Sequence, residues 1–178
     1  MLVCLSCGEV FDATVMKHAG ADELWCPKKS CQQELVDVDE CLIPIIIELN
    51  GRGYHTKGCC SGHFWENQLE GTFPAETSIM FDESVRPEDL INLPIGFVID
   101  QKNQYGVTIR KRYNAIDPLD IHIEVLKTSI ALTEWVRALE PIDFEEELKR
   151  RGIDMETLPK NSKESATCES SVKENPLQ

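Results

Sequence analysis

The sequence predicts an α+β fold, on three observations. Two stretches with helical spacing, around Leu42 to Leu49 and Leu119 to Leu139, frame a middle of short alternating runs such as Thr77-Ser78-Ile79-Met80-Phe81. Ahead of them, residues 1–35 hold four cysteines in two pairs and little apolar material for a core. From about Leu158 the chain turns to Lys, Asn, Ser, Glu and Thr, with little to bury. The organisation read from this is a small cysteine-rich module (1–35) and an α+β domain (36–157) with a small mixed sheet packed by two main helices. A disordered tail follows (158–178), in which Cys168 is a free thiol.

Each cysteine pair sits in a knuckle. Cys4-Leu5-Ser6-Cys7-Gly8 spaces its thiols by two residues, and Cys26-Pro27-Lys28-Lys29-Ser30-Cys31 spaces them by four. One turn supplies two thiolates, so two turns complete a closed tetrahedral site, and the spacing resembles a zinc ribbon. With all four positions taken by Cys4, Cys7, Cys26 and Cys31, the expected zinc is structural: it folds a segment too small to fold itself, contributing on the order of 10 kcal/mol in such peptides. A redox dithiol pair is the competing reading. The segments around Val10 and Trp25 read as short strands beside the knuckles, and His18 as a surface histidine. Ribbons of this kind commonly dock a protein or nucleic-acid partner, which fold alone does not establish.

In the body, residues 36–53 read as a helix capped by Asp37 or Asp39. Pro44 requires a start near Cys41, so that its missing N–H falls in the first turn. Gly51 or Gly53 provides the left-handed stop. Tyr54–Lys57 reads as a strand leading into a tight turn at Cys59–His63, and 67–76 as a loop. Further strands are expected at 77–81, 96–99 and 107–110, with one helical turn at 87–91 and a hairpin turn at 102–106. Asp117-Pro118 is a helix start, a cap followed by proline at the first helical position. That helix should reach Leu139, burying Leu119, Ile123, Leu126 and Ile130 against the sheet, with Leu132, Trp135, Val136 and Leu139 widening the stripe. A short second helix follows from Phe144 to Arg151.

The densest chemistry lies in Cys59-Cys60-Ser61-Gly62-His63. Cys59 or Cys60 as a nucleophile with His63 as its base is one reading. Half of a second metal site, from Cys59 or Cys60 with His63, is another, with Cys60 at knuckle-like spacing from His63 although no second ligand pair follows. A third is an anion cradle, with Ser61 and Gly62 presenting amides to a phosphate or carboxylate. The bland alternative is two small thiols filling a corner of the core. Arg110 and Arg112 alternate onto one face of their strand, from which they could grip such an anion bidentately, or merely offset nearby acids.

Charge bears on which partners are plausible. The 178 residues carry a net charge of −13, a poor basis for coating nucleic acid. Residues 65–100 hold eight acids against one base, whereas 101–113 hold four bases and no acid. A basic strand can still focus one specific anion. No basic leader or long apolar run opens the chain, and clustered thiols suit a reducing compartment, so a cytoplasmic protein off the membrane is expected.

Pro44, Leu49-Asn50, Gly53-Tyr54, Thr56 and Cys59 to His63, followed by Ile79, Phe81, Leu93-Pro94 and Ile109-Arg110, resemble an uncharacterised family from bacteria and their phages. The resemblance covers most of residues 1–140 and implies a zinc ribbon followed by one small α/β domain, without an activity. The turn is also remotely similar to the Ser-Ser-Cys-Ser-Gly-Arg loop of wybutosine-synthesising tRNA methyltransferases. Cys60, Ser61 and Gly62 match that loop, Cys59 replaces its second serine and His63 its arginine. This likeness implies a pocket for S-adenosylmethionine and an RNA base. Two functions are carried forward: a site at Cys59–His63 acting on a nucleotide or RNA-like anion, and a non-catalytic zinc-dependent adaptor.

Overall fold

The computed structural model describes residues 1–13, 25–28, 31, 33–62, 75–100, 106–114, 117–150 and 152. His63, most of the 67–76 loop, the hairpin turn up to Tyr105, His18 and the tail from 158 lie outside the described residues.

The apolar run from Ile43 forms helix α1 (Ile43–Gly51), preceded by a 3-10 turn at Glu40–Leu42. Pro44 falls in the first turn, where its lack of an N–H leaves no bond unmade. Ile45, Ile46 and Leu49 are buried, and Gly53, at φ 85°, takes the left-handed stop. The helical reading of 36–53 is too long at its start. Val36–Asp37 is a strand, and neither Asp37 nor Asp39 caps the helix through its side chain. Asp37 instead meets the terminal ammonium of Met1 at 3.3 Å.

The N-terminal unit is a three-stranded antiparallel sheet of β1 (Leu2–Val3), β2 (Val10–Phe11) and β3 (Val36–Asp37), in the order β2-β1-β3. It is fused to the body: Val3 is wholly buried in the main core, with Leu5 and Val36 packed against it. Trp25 adds a single bridge to Glu34.

The main sheet contains β4 (Thr56–Cys60), β5 (Glu76–Phe81), β6 (Val98–Asp100) and β7 (Thr108–Arg112), in the order β4-β5-β7-β6. Its pairings are antiparallel throughout, where the sequence suggests a mixed sheet. Cys59 and Cys60 close β4 rather than forming the turn after it. A 3-10 turn at Pro87–Asp89 fulfils the expected helical turn.

Helix α2 (Pro118–Ala138) begins as expected, with the Asp117 carboxylate accepting from Leu119 N at 2.8 Å. Over its first half the inner face is the reverse of the expected one, whereas Leu132, Trp135, Val136 and Leu139 are buried as expected. Ile121, Val125, Thr128, Leu132, Trp135 and Val136 are buried, while Leu119, Ile123, Leu126 and Ile130 point outward. Two apolar stripes lie on opposite sides of this helix, and helical spacing alone does not say which one meets the sheet. Helix α3 (Phe144–Arg150) follows, where Arg150 Nη1 meets Asp89 at 2.5 Å and Nη2 meets Glu146 at 2.6 Å.

The end of α1 is stitched to its surroundings. Tyr54 Oη donates to Glu140 O at 2.9 Å, and Arg52 Nη1 to Leu139 O at 2.8 Å. Buried Asn50 donates through Nδ2 to Ile46 O and to Thr56 Oγ1, both at 2.8 Å, and its Oδ1 accepts from Thr56 N at 3.2 Å. This side chain replaces the ladder at the start of edge strand β4.

Candidate functional site

Cys4, Cys7, Cys26 and Cys31 bring their sulfurs within 4.8 Å of one another. Cys4 and Cys31 are 3.3 Å apart, and Cys7 and Cys26 3.7 Å. A tetrahedral zinc with bonds of about 2.3 Å places its sulfurs ~3.8 Å apart, so the set fits such an ion with minor adjustment. Local backbone bonds make the arrangement. Cys4 N donates to Glu9 O and Gly8 N to Cys4 O, with Gly8 at φ 70° where a side chain would be strained. Cys31 N donates to Lys28 O in the second knuckle. The Lys28–Glu9 ion pair at 2.6 Å links the two turns. Burial raises the Cys4 thiol, and the hydrogen bond from Cys4 lowers that of Cys31. Four cysteines are thus placed to hold a metal ion such as zinc, and among the described residues this is the only such group of three or more ligands.

The other predicted residues separate across β4. Cys59 packs against the main core, and burial pushes its thiol up to about 11 from an ordinary 9.0. Pairing aligns Cys60 with Ser78 and Arg110, two strands away, so these three occupy one cross-strand row. At about 4.8 Å per strand, Cys60 and Arg110 stand ~10 Å apart in backbone position. They do not touch.

Backbone groups of the turn are largely committed to the protein itself. Ser61 N donates to Asp39 Oδ2 at 2.6 Å, and Ser61 O accepts from Thr77 Oγ1 at 3.2 Å. Gly62 N points at Cys60 Sγ, 3.4 Å away. Gly62 has φ 98°, and a Cβ there would lie 3.2 Å from the Tyr113 ring. Tyr113 in turn shares a short hydrogen bond with Thr77. Sequence reasoning missed Asp39, Thr77 and Tyr113 as the residues that hold the turn; all three come from distant parts of the chain.

Arg110 and Arg112 share the outer face of the sheet, as alternation predicts. Both have acidic partners: Arg110 pairs closely with Asp100 and lies 4.0 Å from Glu76, and Arg112 Nε reaches Glu76 at 3.3 Å. Arg110 Nε is buried and, among the described residues, has no hydrogen-bond partner. A cleft of about 610 Å³ runs along this edge, lined by Val98, Asp100, Arg110, Arg112 and Asn114 among others. Glu76 and Asp100 belong to the acidic 65–100 segment, so the basic strand and that segment offset each other in space.

Among the described residues, no helix is long and apolar enough to cross a membrane. No protein-family model, curated protein or solved structure matches the chain.

Proposed function

We propose that this chain is a zinc-dependent binding adaptor, in which a structural zinc on Cys4, Cys7, Cys26 and Cys31 shapes an N-terminal ribbon that docks a protein partner. The observation that carries the reading is the four-sulfur cluster, whose geometry suits a closed ion with no position left for substrate. Two features support a binding role over catalysis. The Ser61 amide and carbonyl are engaged internally, and Cys59 is a buried thiol of raised pKa, a poor nucleophile. A protein is favoured over nucleic acid because the chain carries a net charge of −13, and Val10 and Trp25 expose apolar surface on the ribbon.

A second reading has one observation in its favour: Cys60, Ser78 and Arg110 share a row beside the Arg110–Arg112 cleft. In that reading the outer face of the sheet takes a nucleotide or RNA-like anion, with Arg110 and Arg112 exchanging their carboxylate partners for it, and His63 or S-adenosylmethionine completing the chemistry. Thermal shift separates the two, and metal analysis checks the zinc site on which the first rests. The adaptor reading expects one zinc per chain, lost in Cys4→Ser and retained in Cys60→Ser. It expects no stabilisation by nucleotides, S-adenosylmethionine or short RNAs. Stabilisation by one of these that disappears in Arg110→Ala would overturn it in favour of the second reading.

A further inference from the structure

Among the described residues, the outward stripe of α2 takes no part in the core. Leu119, Ile123, Leu126 and Ile130 are 65%, 41%, 47% and 62% exposed. Single exposed apolar residues need no explanation, but these four lie in line. Their spacing of four, three and four residues keeps them on one seam ~16 Å long, at 1.5 Å per residue. This alternation is that of the a and d positions of a coiled coil, with isoleucine at a and leucine at d. The helix's buried arc lies on the opposite side, so the stripe faces away from the body.

We propose that this face is a self-association seam on which α2 of a second copy packs antiparallel. Charge chooses both the partner and the direction. In an antiparallel pair the a and d residues alternate, placing Ile123 against Leu126 of the second copy and Leu119 against Ile130, with a two-fold axis between them. Like flanks then face each other, which sets Asp120 beside Lys127 of the second copy, and Lys127 beside Asp120. Each copy thus contributes both halves of two identical ion pairs. The opposite flank carries His122 and Ser129, which meet without conflict. In a parallel pair His122 would face Lys127 and Ser129 would face Glu134, so no opposite charges would meet. Lys127 is held by Glu124 of its own chain at 2.9 Å yet remains 65% exposed, free to take a further carboxylate.

The test is sedimentation equilibrium of the full, zinc-replete chain over micromolar to hundreds-of-micromolar concentrations. A reversible dimer is expected. Leu126→Glu should weaken it about 30-fold or more, the scale of a hot-spot loss, because it places a carboxylate in the seam. Leu126 lies outside the core, so the circular dichroism spectrum of the variant should be unchanged. Asp120→Lys should weaken the dimer, and Asp120→Lys with Lys127→Asp should restore it. A monomer throughout the range, or a dimer indifferent to Leu126→Glu, would overturn the seam. A dimer lost in Leu126→Glu but untouched by Asp120→Lys would overturn the antiparallel register.

Discussion

Replacing Asn50 by alanine should cost far more than the loss of one polar side chain. Asn50 is 9% exposed and makes three hydrogen bonds that tie the end of α1 to the start of β4. Its bond to Ile46 O leaves little behind, since that carbonyl keeps its helical N–H. The other two leave Thr56 N and Thr56 Oγ1 stranded on a residue only 8% exposed. At about 1–3 kcal/mol for each buried group left unpaired, and allowing for partial relaxation at a sheet edge, the expected loss is ~2–4 kcal/mol. Thr56→Val removes only the hydroxyl and should cost about 1 kcal/mol, since Asn50 keeps its other partners. Urea unfolding of the zinc-replete protein measures both, and the double variant gives their coupling, expected at about 1 kcal/mol or more. A loss below about 0.5 kcal/mol for Asn50→Ala, the range of neutral surface changes, would refute the reasoning.

Chelation, or Cys4→Ser, should release one zinc and lower the melting temperature of the whole chain, because buried Val3 belongs to the main core; metal analysis with a calorimetric scan checks both. Arg150→Ala should cost roughly 1–3 kcal/mol in urea unfolding, because Asp89 is only 14% exposed and loses its cationic partner, keeping the Arg86 amide at 2.8 Å. Cys59 supplies a pH dependence. Its folded thiol ionises near 11 and the unfolded one near 9.0, so the unfolded chain gives up its proton first. That contribution is complete below about pH 9 and lost as pH rises through about 11, so Cys59→Ala should flatten the alkaline fall in stability relative to the parent. In alkylation at pH 8 followed by mass spectrometry, Cys59 should react more slowly than an unperturbed thiol.

What could be read in the sequence was what local chemistry decides. Two knuckles at the right spacing gather four sulfurs, Asp117-Pro118 starts a helix, and Gly53 ends one. Alternation correctly put Arg110 and Arg112 on a common face. The choices between equivalent local patterns were hidden. Helix α2 carries two apolar stripes, and only its packing against the rest of the fold selects Ile121 and Val125 over Leu119, Ile123 and Ile130. Gly58-Cys59-Cys60 has none of the β-branched or aromatic residues that mark a strand, yet pairing with Met80, Ile79 and Ser78 makes it one. The residues that hold Ser61 and Gly62 were invisible because Asp39, Thr77 and Tyr113 approach them across long stretches of chain.

The metal cluster and the Ser61 turn, separate in sequence, are joined by a short mechanical path. Cys4 follows directly on β1, and β1 pairs with β3 through Leu2 with Asp37 and Val3 with Val36. The pairing runs one step further, where Val38 N donates to Met1 O at 2.8 Å and the Met1 ammonium to Val38 O at 3.1 Å. Asp39 comes next, and its carboxylate holds Ser61 N. Removing the metal should loosen β1 beyond buried Val3, and with it the pairing that helps fix the direction of Asp39. The Ser61 amide, part-buried, is left seeking another acceptor. Zinc removal should therefore speed hydrogen exchange at Ser61 as well as at Val3 and Val38, whereas Asp39→Asn should speed it at Ser61 with the zinc content unchanged. Exchange at Ser61 that ignores zinc removal would break this path, leaving the cluster as a local staple for residues 1–35 alone.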